Sequence, residues 1–597
     1  MGILITSFGQ IGATADLRIH VDFTLEIATH PFPVLTTRES LGFPSTSGGP
    51  IVLLGGGSLI PASGGGLPPI IVAPPRVFDP WPILLDPSLF WVAVDGAAQE
   101  GRTLMATTNI EGASYQWQEL VGGAWVNLQG ATASTYLVQH EDVGRQIRIQ
   151  IAGTGSRIAI SGPTNAVLDT AGDQYVYETD TGTTIKSGLF QYVHGTAIAA
   201  AIEAGGEQNI YAGGLAVATT LNTGGIQVDW GDSTGAAING GTQYVWGTAS
   251  STSIGNGQQI VMSGGSATDT EIYPTGEQIV LTGASASSTM VVGTQSVYGT
   301  ADITTIRFGG LQQVHGLATN TTVNLYGHQN VYADGTAIGT TLTVGSVQID
   351  WGTATNTTVD MNSAQYVWGV ATDTTLTQRS FLGLGGTQYV GAGGSTYGTD
   401  VGANCTQYVY GGGTSAGTFV EFLGSQVVYG TTTDTTVYGH QDVWGIATNT
   451  TINSNAGVQD VHAGGLAQNT TIDDLASAHV FAGGTIGDVT FSGRFAGLVL
   501  DQGSTLAGSI SGWHSFDTID LAGVSFVDGT TTLAYAAYGD NSGGSLTVSD
   551  GTHAMTLSLL GQYTASDFAI NSDGHGGTSV FNPIFLTEIT ITPPPAA

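Results

Sequence analysis

The stretch QYVWGVATDTTL, residues 365–376, returns almost unchanged as QDVWGIATNTTI at 441–452, and more loosely as QQVHGLATNTTV at 312–323 and QYVWGTASSTSI at 243–254. The unit reads Gln-x-Val-aromatic-Gly, then Thr-Ala-Thr-Asp/Asn-Thr-Thr-Ile/Val, then a Gly-rich turn. Working outward from these copies, Gln anchors recur at 174, 191, 208, 227, 243, 259, 278, 295, 312, 329, 348, 365, 388, 407, 426, 441 and 459, mostly 15 to 19 residues apart with one gap of 23. A unit of that length is too short for two helices and too rich in Gly and Thr for one, so each must be a coil of short strands joined by tight turns. Stacked coils make a parallel β-solenoid; at roughly 4.8 Å per layer, seventeen layers span about 80 Å.

Strand periodicity assigns the faces. If Val176, Val193, Val245, Val297, Val314, Val367 and Val443 point inward, the Gln two residues earlier does too, and stacked Gln side chains would form a hydrogen-bonded amide ladder. Asp229 and Asp350 stand at the Val position, which suggests a local bulge or register change there. The third residue after each Gln lies on the opposite face. It is Tyr177, Tyr211, Trp230, Trp246, Tyr298, Tyr332, Trp351, Trp368, Tyr410, Tyr429 or Trp444, with His194, His315 and His462 in the same column. Two readings of this column stand side by side. The rings stack on one another under a covering loop, as aromatic ladders do in repeated sheets, or they form an exposed platform for sugars or a partner chain.

Composition narrows the function. Gly accounts for 91 of 597 residues and charged residues for only 9%, so the chain is turn-rich and too long for one compact core. Acidic residues outnumber basic ones 45 to 11, for a formal charge of −34. Nothing here neutralises a phosphate backbone, which argues against nucleic acid as a partner, and the acidity suits solubility outside the cell. Cys405 is the sole cysteine, so no intrachain disulfide forms. No run of apolar residues reaches the length of a membrane span, so membrane insertion is not expected. The N-terminus lacks a basic region followed by an unbroken apolar stretch and does not read as a conventional secretory signal.

Along the chain, residues 1–43 carry mixed character, and 44–85 are a Gly/Pro/Ser-rich linker (LLGGGS, ASGGGLPP). Residues 86–168 show short alternating strands and resemble the Ig-like β-sandwich modules of bacterial surface proteins. Tyr115-Gln116-Trp117 falls mid-strand there, Trp117 reads as the core residue, and Trp125 is expected to end the next strand. The repeats occupy 171–512 and a small C-terminal β domain 513–597. The fold class is therefore all-β: Ig-like sandwich, long parallel solenoid, C-terminal β domain.

The fuller pattern Gly-Gly-x-Gln-x-Val-x-x-Gly-Gly-x-Ala-x-x-Thr-x-Ile is visible as GGEQNIYAGGLAVATTL from Gly205 and GVQDVHAGGLAQNTTI from Gly457. It resembles the AIDA repeat of autotransporter adhesins. That resemblance implies a passenger β-helix displayed on the bacterial cell surface, mediating adhesion, self-association and biofilm formation, with Ser or Thr glycosylated in some members. The C-terminal region departs from the autotransporter pattern, having no membrane-barrel sequence. FDTIDLAGVSF and SDGHGGTSVF are instead similar to the C-terminal regions of proteins exported by type I secretion. The Asp and Gly content around Asp540, Asp550 and Asp573 is similar to that of calcium-binding secretion repeats, a resemblance that implies Ca²⁺ as a ligand, although no nonapeptide calcium repeat recurs and no cofactor is required.

No nucleophile motif, His-Glu-x-x-His or phosphate-binding Gly loop is present, and the coils lack the paired carboxylates of sugar-cleaving β-helices, so no catalytic residues are assigned. The expected function is that of a secreted, non-enzymatic surface protein that self-associates into a layer, fibre or matrix or attaches to surfaces. The alternative is a glycan-binding module using the aromatic column. A third reading, ice binding, comes from the Thr-x-Thr pairs Thr319/Thr321, Thr355/Thr357, Thr372/Thr374, Thr433/Thr435 and Thr448/Thr450, because regular Thr arrays can order water.

Overall fold

The computed structural model describes residues 90–583 apart from 155, 156, 380–382, 384, 454 and 455. The N-terminal segment 1–43 and the linker 44–85 lie outside them. Among the described residues the chain is all-β, with two single-turn 3₁₀ segments at His140–Asp142 and Ala565–Asp567.

Each coil carries three strands, and in the coil that opens at Ala364 they are Ala364–Val367, Val370–Thr372 and Thr375–Leu376. We call them the Gln, Ala and Thr strands. Each pairs in parallel with its equivalent one coil on, as in Gln365↔Gln388, Ala371↔Thr396 and Leu376↔Val401. Nineteen Ala strands stack into one parallel sheet. The Gln and Thr strands belong to a second, because the Thr strand of one coil and the Gln strand of the next run on unbroken in Ala237–Val245, Ser253–Val261 and Glu271–Val280.

The consensus residues have identifiable physical jobs. The Asx that follows the Ala strand turns the corner in the left-handed region, at φ 53° for Asn320, 53° for Asp373 and 57° for Asn449, which Asn and Asp tolerate better than other non-glycine residues. The Gly after the aromatic is dictated by close approach. A Cβ on Gly369 would come within 2.1 Å of the Gly352 carbonyl oxygen, backbone that cannot move aside.

Inside, the seventeen glutamines form an unbroken ladder. Each Nε2 donates to the Oε1 of the coil before it, from Gln191→Gln174 at 2.5 Å through Gln365→Gln348 at 3.0 Å to Gln459→Gln441 at 2.7 Å. The first Thr of the Thr-Thr pair commonly supplies a second donor to the same oxygen, as Thr340 Oγ1 does to Gln329 at 3.0 Å and Thr374 Oγ1 to Gln365 at 3.1 Å. These amides are buried, so leaving one unpaired would cost about 1–3 kcal/mol.

The expected bulge at Asp229 and Asp350 is absent. Both sit in unbroken register, Ile210↔Asp229↔Val245 and Val331↔Asp350↔Val367. What changes is the charge preference: burial pushes the Asp229 carboxyl up to about 7 and that of Asp350 up to about 8, favouring the neutral form. A neutral carboxyl fits a valine site. Asp229 Oδ2 accepts from Ser233 Oγ at 2.6 Å and Asp350 Oδ2 from Gln365 Nε2 at 2.9 Å.

Stacking also continues past residue 512 and beyond the seventeen Gln units. Ser477–Val480, Gly497–Leu500 and Thr518–Leu521 extend the column of Gln strands, with Ala478, Leu498 and Ile519 where Gln would stand. The ladder thus ends in an apolar core. The C-terminal strands close that end: Ala554–Leu560 pairs with Ile510–Ser511, Thr578–Phe581 runs antiparallel to Thr518–Leu521, and Leu546, Leu557, Leu559 and Val580 join the solenoid core. Capping of this kind covers an edge that would otherwise recruit other chains.

At the other end, Val92–Asp95, Thr103–Thr108 and Thr135–Leu137 form a three-stranded antiparallel sheet, and Ala124–Asn127, Ser114–Val121, Ile147–Gly153 and Arg157–Ile160 a four-stranded one. Trp117 is fully buried among Leu104, Ile147, Ile149 and Ile151, its Nε1–H donating to the Ala133 carbonyl at 3.0 Å. Trp125 lies near the start of its strand rather than ending it, with the Arg148 guanidinium 4.2 Å above its ring. Leu168 bridges to Gln174 of the first coil.

Candidate functional site

Parallel in-register stacking puts the third residue after each ladder Gln on one outward column, one residue per layer. The rings fall into three blocks. Tyr177, His194, Tyr211, Trp230 and Trp246 form the first, with centroids 4.6–5.6 Å apart. Tyr298, His315, Tyr332, Trp351 and Trp368 form the second, at 4.2–5.9 Å. Tyr410, Tyr429, Trp444, His462 and Phe481 form the third, at 4.0–6.2 Å. All eleven tyrosines and tryptophans named from the sequence therefore lie in the column. Met262 and Leu281 occupy the equivalent position between the first two blocks, and Gly391 between the second and third.

A second column, one residue after each Gln, was not singled out in the sequence although it obeys the same period. Its Tyr366, Tyr389 and Tyr408 stack at 4.8 and 5.4 Å, and Tyr389 reaches Tyr410 at 6.4 Å, bridging the gap at Gly391. Phe481 was missed because its coil carries Ala478 instead of Gln.

The rings of the column are at once stacked and exposed. The rings do stack, with interplanar angles of 25° or less within each block. They also stay open to solvent: Tyr177 is 53% exposed, Trp368 42% and Trp444 43%. Stacking consumes the ring faces, so what the surface offers is a line of ring edges carrying indole N–H and phenol O–H groups. Desolvation nevertheless raises the phenol of Tyr389, with neighbouring tyrosines adding to the effect.

The Thr-x-Thr pairs do not form an ice-ordering array. Thr321, Thr357, Thr374, Thr435 and Thr450, the second member of each pair, are buried, and Thr321, Thr357, Thr374 and Thr450 donate to ladder glutamines. The three aspartates considered for Ca²⁺ each hold their own turn. Asp540 Oδ1 accepts from Ser542 N–H, Asp550 Oδ1 from Thr552 and His553 N–H, and Asp573 Oδ1 from His575 and Gly577 N–H. These bonds drive the Asp550 carboxyl far below the usual carboxylate range. Among the described residues no helix is long and apolar enough to cross a membrane.

Fold and site together define a parallel β-solenoid bearing an exposed aromatic spine. No protein-family model matches the chain, and no curated protein matches it. Among solved structures it is similar to a TibA fragment hyper-glycosylated by TibC, at 28% identity over 57% of this chain and 100% of that one, with a TM-score of 0.26. It is also similar to pectate lyases Pel3 of Pectobacterium carotovorum and PelI of Erwinia chrysanthemi. Each is 12% identical with a TM-score of 0.11, covering 39% and 45% of this chain and 85% of theirs. Superpositions this poor carry no argument about activity.

Proposed function

We propose that this is a secreted, non-enzymatic bacterial surface protein whose solenoid associates side by side with other copies, or adheres to surfaces, through the aromatic spine. The observation that carries the reading is the spine itself: fifteen rings in three stacked blocks, most of them exposed on one face of a parallel sheet. An ordered apolar line of this length is an interaction surface in soluble proteins, and Tyr and Trp edges with one polar atom each suit an interface core. The AIDA-like pattern of the repeats points the same way. Glycan binding is the second reading. It is the weaker one because sugars stack on ring faces, and in the interior of each block, as at Tyr211 between His194 and Trp230, both faces are already covered.

The test is the combined change of Trp246, Trp368 and Trp444 to Ala. A desolvated Trp contact is worth about 2 kcal/mol or more, so assembly seen by sedimentation and negative-stain imaging should be abolished while the far-ultraviolet circular dichroism stays that of a β-solenoid. A folded triple variant that still assembles and still binds cells would remove the spine as the contact surface. Export by a type I route, with its information in residues 513–597, belongs to the same reading. A reporter fused to that segment and retained in the cytoplasm would count against it.

A further inference from the structure

Near the C-terminal end of the spine, two aspartates face each other across neighbouring coils. Asp442 and Asp460 each follow a ladder glutamine, and the register Gln441↔Gln459, Asp442↔Asp460 sets both carboxylates on the outward face of adjacent strands. Like charges directly opposite destabilise a strand pair, so a positive group belongs between them. His440 is on the same face, two residues before Asp442. Its Nε2 lies 2.9 Å from Asp460 Oδ2 and its Nδ1 3.8 Å from Asp442 Oδ2. His462 Nε2 lies 2.8 Å from the other Asp442 oxygen, fixing that carboxylate's orientation. One ligand atom from each of His440, Asp442 and Asp460 lies within 4.8 Å of the other two. An ion with bonds of about 2.0–2.1 Å in tetrahedral geometry needs ligand atoms roughly 3.3 Å apart, so binding draws these three side chains together from separations of up to 4.8 Å.

We propose that His440, Asp442 and Asp460 bind a divalent transition metal ion of the Zn²⁺ type, with His462 as a positioning residue for Asp442. One imidazole with two carboxylates suits Zn²⁺, whereas Ca²⁺ and Mg²⁺ take larger, all-oxygen sets. A groove of about 490 Å³, walled by Phe422, Ser425 and Val458, opens beside His440 and Asp460 and gives room for a fourth ligand, a water or a side chain of a partner. The site was legible in principle from His-Gln-Asp at 440–442 and Gln-Asp at 459–460, once the Gln anchors are set in register.

Calorimetric titration of the whole, chelator-stripped chain with ZnCl₂ should show one saturable site per chain that CaCl₂ at the same concentration does not fill. His440→Gln and Asp460→Asn each remove a ligand and should lower the Zn²⁺ affinity beyond the roughly 10–100-fold lost when a group behind the ligands is removed; His462→Gln should fall within that range. Co²⁺ serves as a second probe, its tetrahedral visible absorption present in the parent and lost in His440→Gln. All three side chains face outward, so circular dichroism of the variants should be unchanged. Absence of a saturable Zn²⁺ site, equal affinity in His440→Gln, or preference for Ca²⁺ would overturn the assignment.

Discussion

Asp350 has its carboxyl in the solenoid interior at a position where Val331 and Val367 flank it one coil away on either side. Its burial cost is met by protonation, and the consequence has a definite sign. The folded-state pKa, pushed up to about 8, stands above the ordinary carboxylate value, so folding takes up a proton. Stability from this group is fully present below the unfolded pKa near 4 and is lost as pH rises toward 8; Asp229, raised to about 7, adds to the loss in the same window. The Tm should therefore fall between pH 5 and 9. Asp350→Asn, neutral at every pH and still able to accept from Gln365 Nε2, should flatten part of that slope and stabilise the protein at pH 9 by up to roughly 5 kcal/mol. Thermal melts of parent and variant at the two pH values check this; parallel slopes would mean that the carboxyl is ionised and solvated. From the sequence, Asp229 and Asp350 were legible as exceptions but not as protonated residues, because the motif reveals a position and not its dielectric.

The coil is the element, and its Gln-x-Val, Thr-Thr and Asx-corner signals were readable because each repeats at a fixed offset. The ladder's hidden partner was not: the Thr that reads as a candidate water-ordering residue points inward as a donor to Gln, an orientation that depends on the left-handed corner before it. Ladder position then sets the cost of a break. Gln365→Leu strips a donor from Gln348 Oε1 and Asp350 Oδ2, an acceptor from Gln388 Nε2, and the partner of Thr374. Gln459→Leu strips a donor from Gln441 and the acceptor of Thr470 alone, since Ala478 follows. At about 1–3 kcal/mol per orphaned group, the mid-ladder change should lower the Tm clearly more than the end-ladder change. Equal effects in differential scanning calorimetry would mean that water replaces the missing amides.

At the scale of the whole molecule, the repeat region declared itself from spacing alone, whereas its C-terminal limit did not. Coils with Ala478, Leu498 and Ile519 lack the Gln that marks the period, so 513–521 read as the start of another domain when it is the final coil beneath the cap. Net charge bears on how such a molecule meets its copies. With a formal charge of −34, two chains approaching side by side repel over long range, while the spine's attraction acts only on contact. Salt screens the first and leaves the second, the Debye length falling from about 30 Å at 0.01 M to about 8 Å at 0.15 M. Association of the parent protein should therefore strengthen as NaCl is raised across that range, by contrast with an interface held by ion pairs, which salt weakens. Sedimentation velocity at fixed protein concentration across the series distinguishes the two. The Trp246/Trp368/Trp444 alanine variant should stay monomeric throughout, because screening removes a barrier without creating an attraction. If the parent instead dissociates as salt rises, charged side chains and not ring edges hold the copies together, and the spine must serve some other contact.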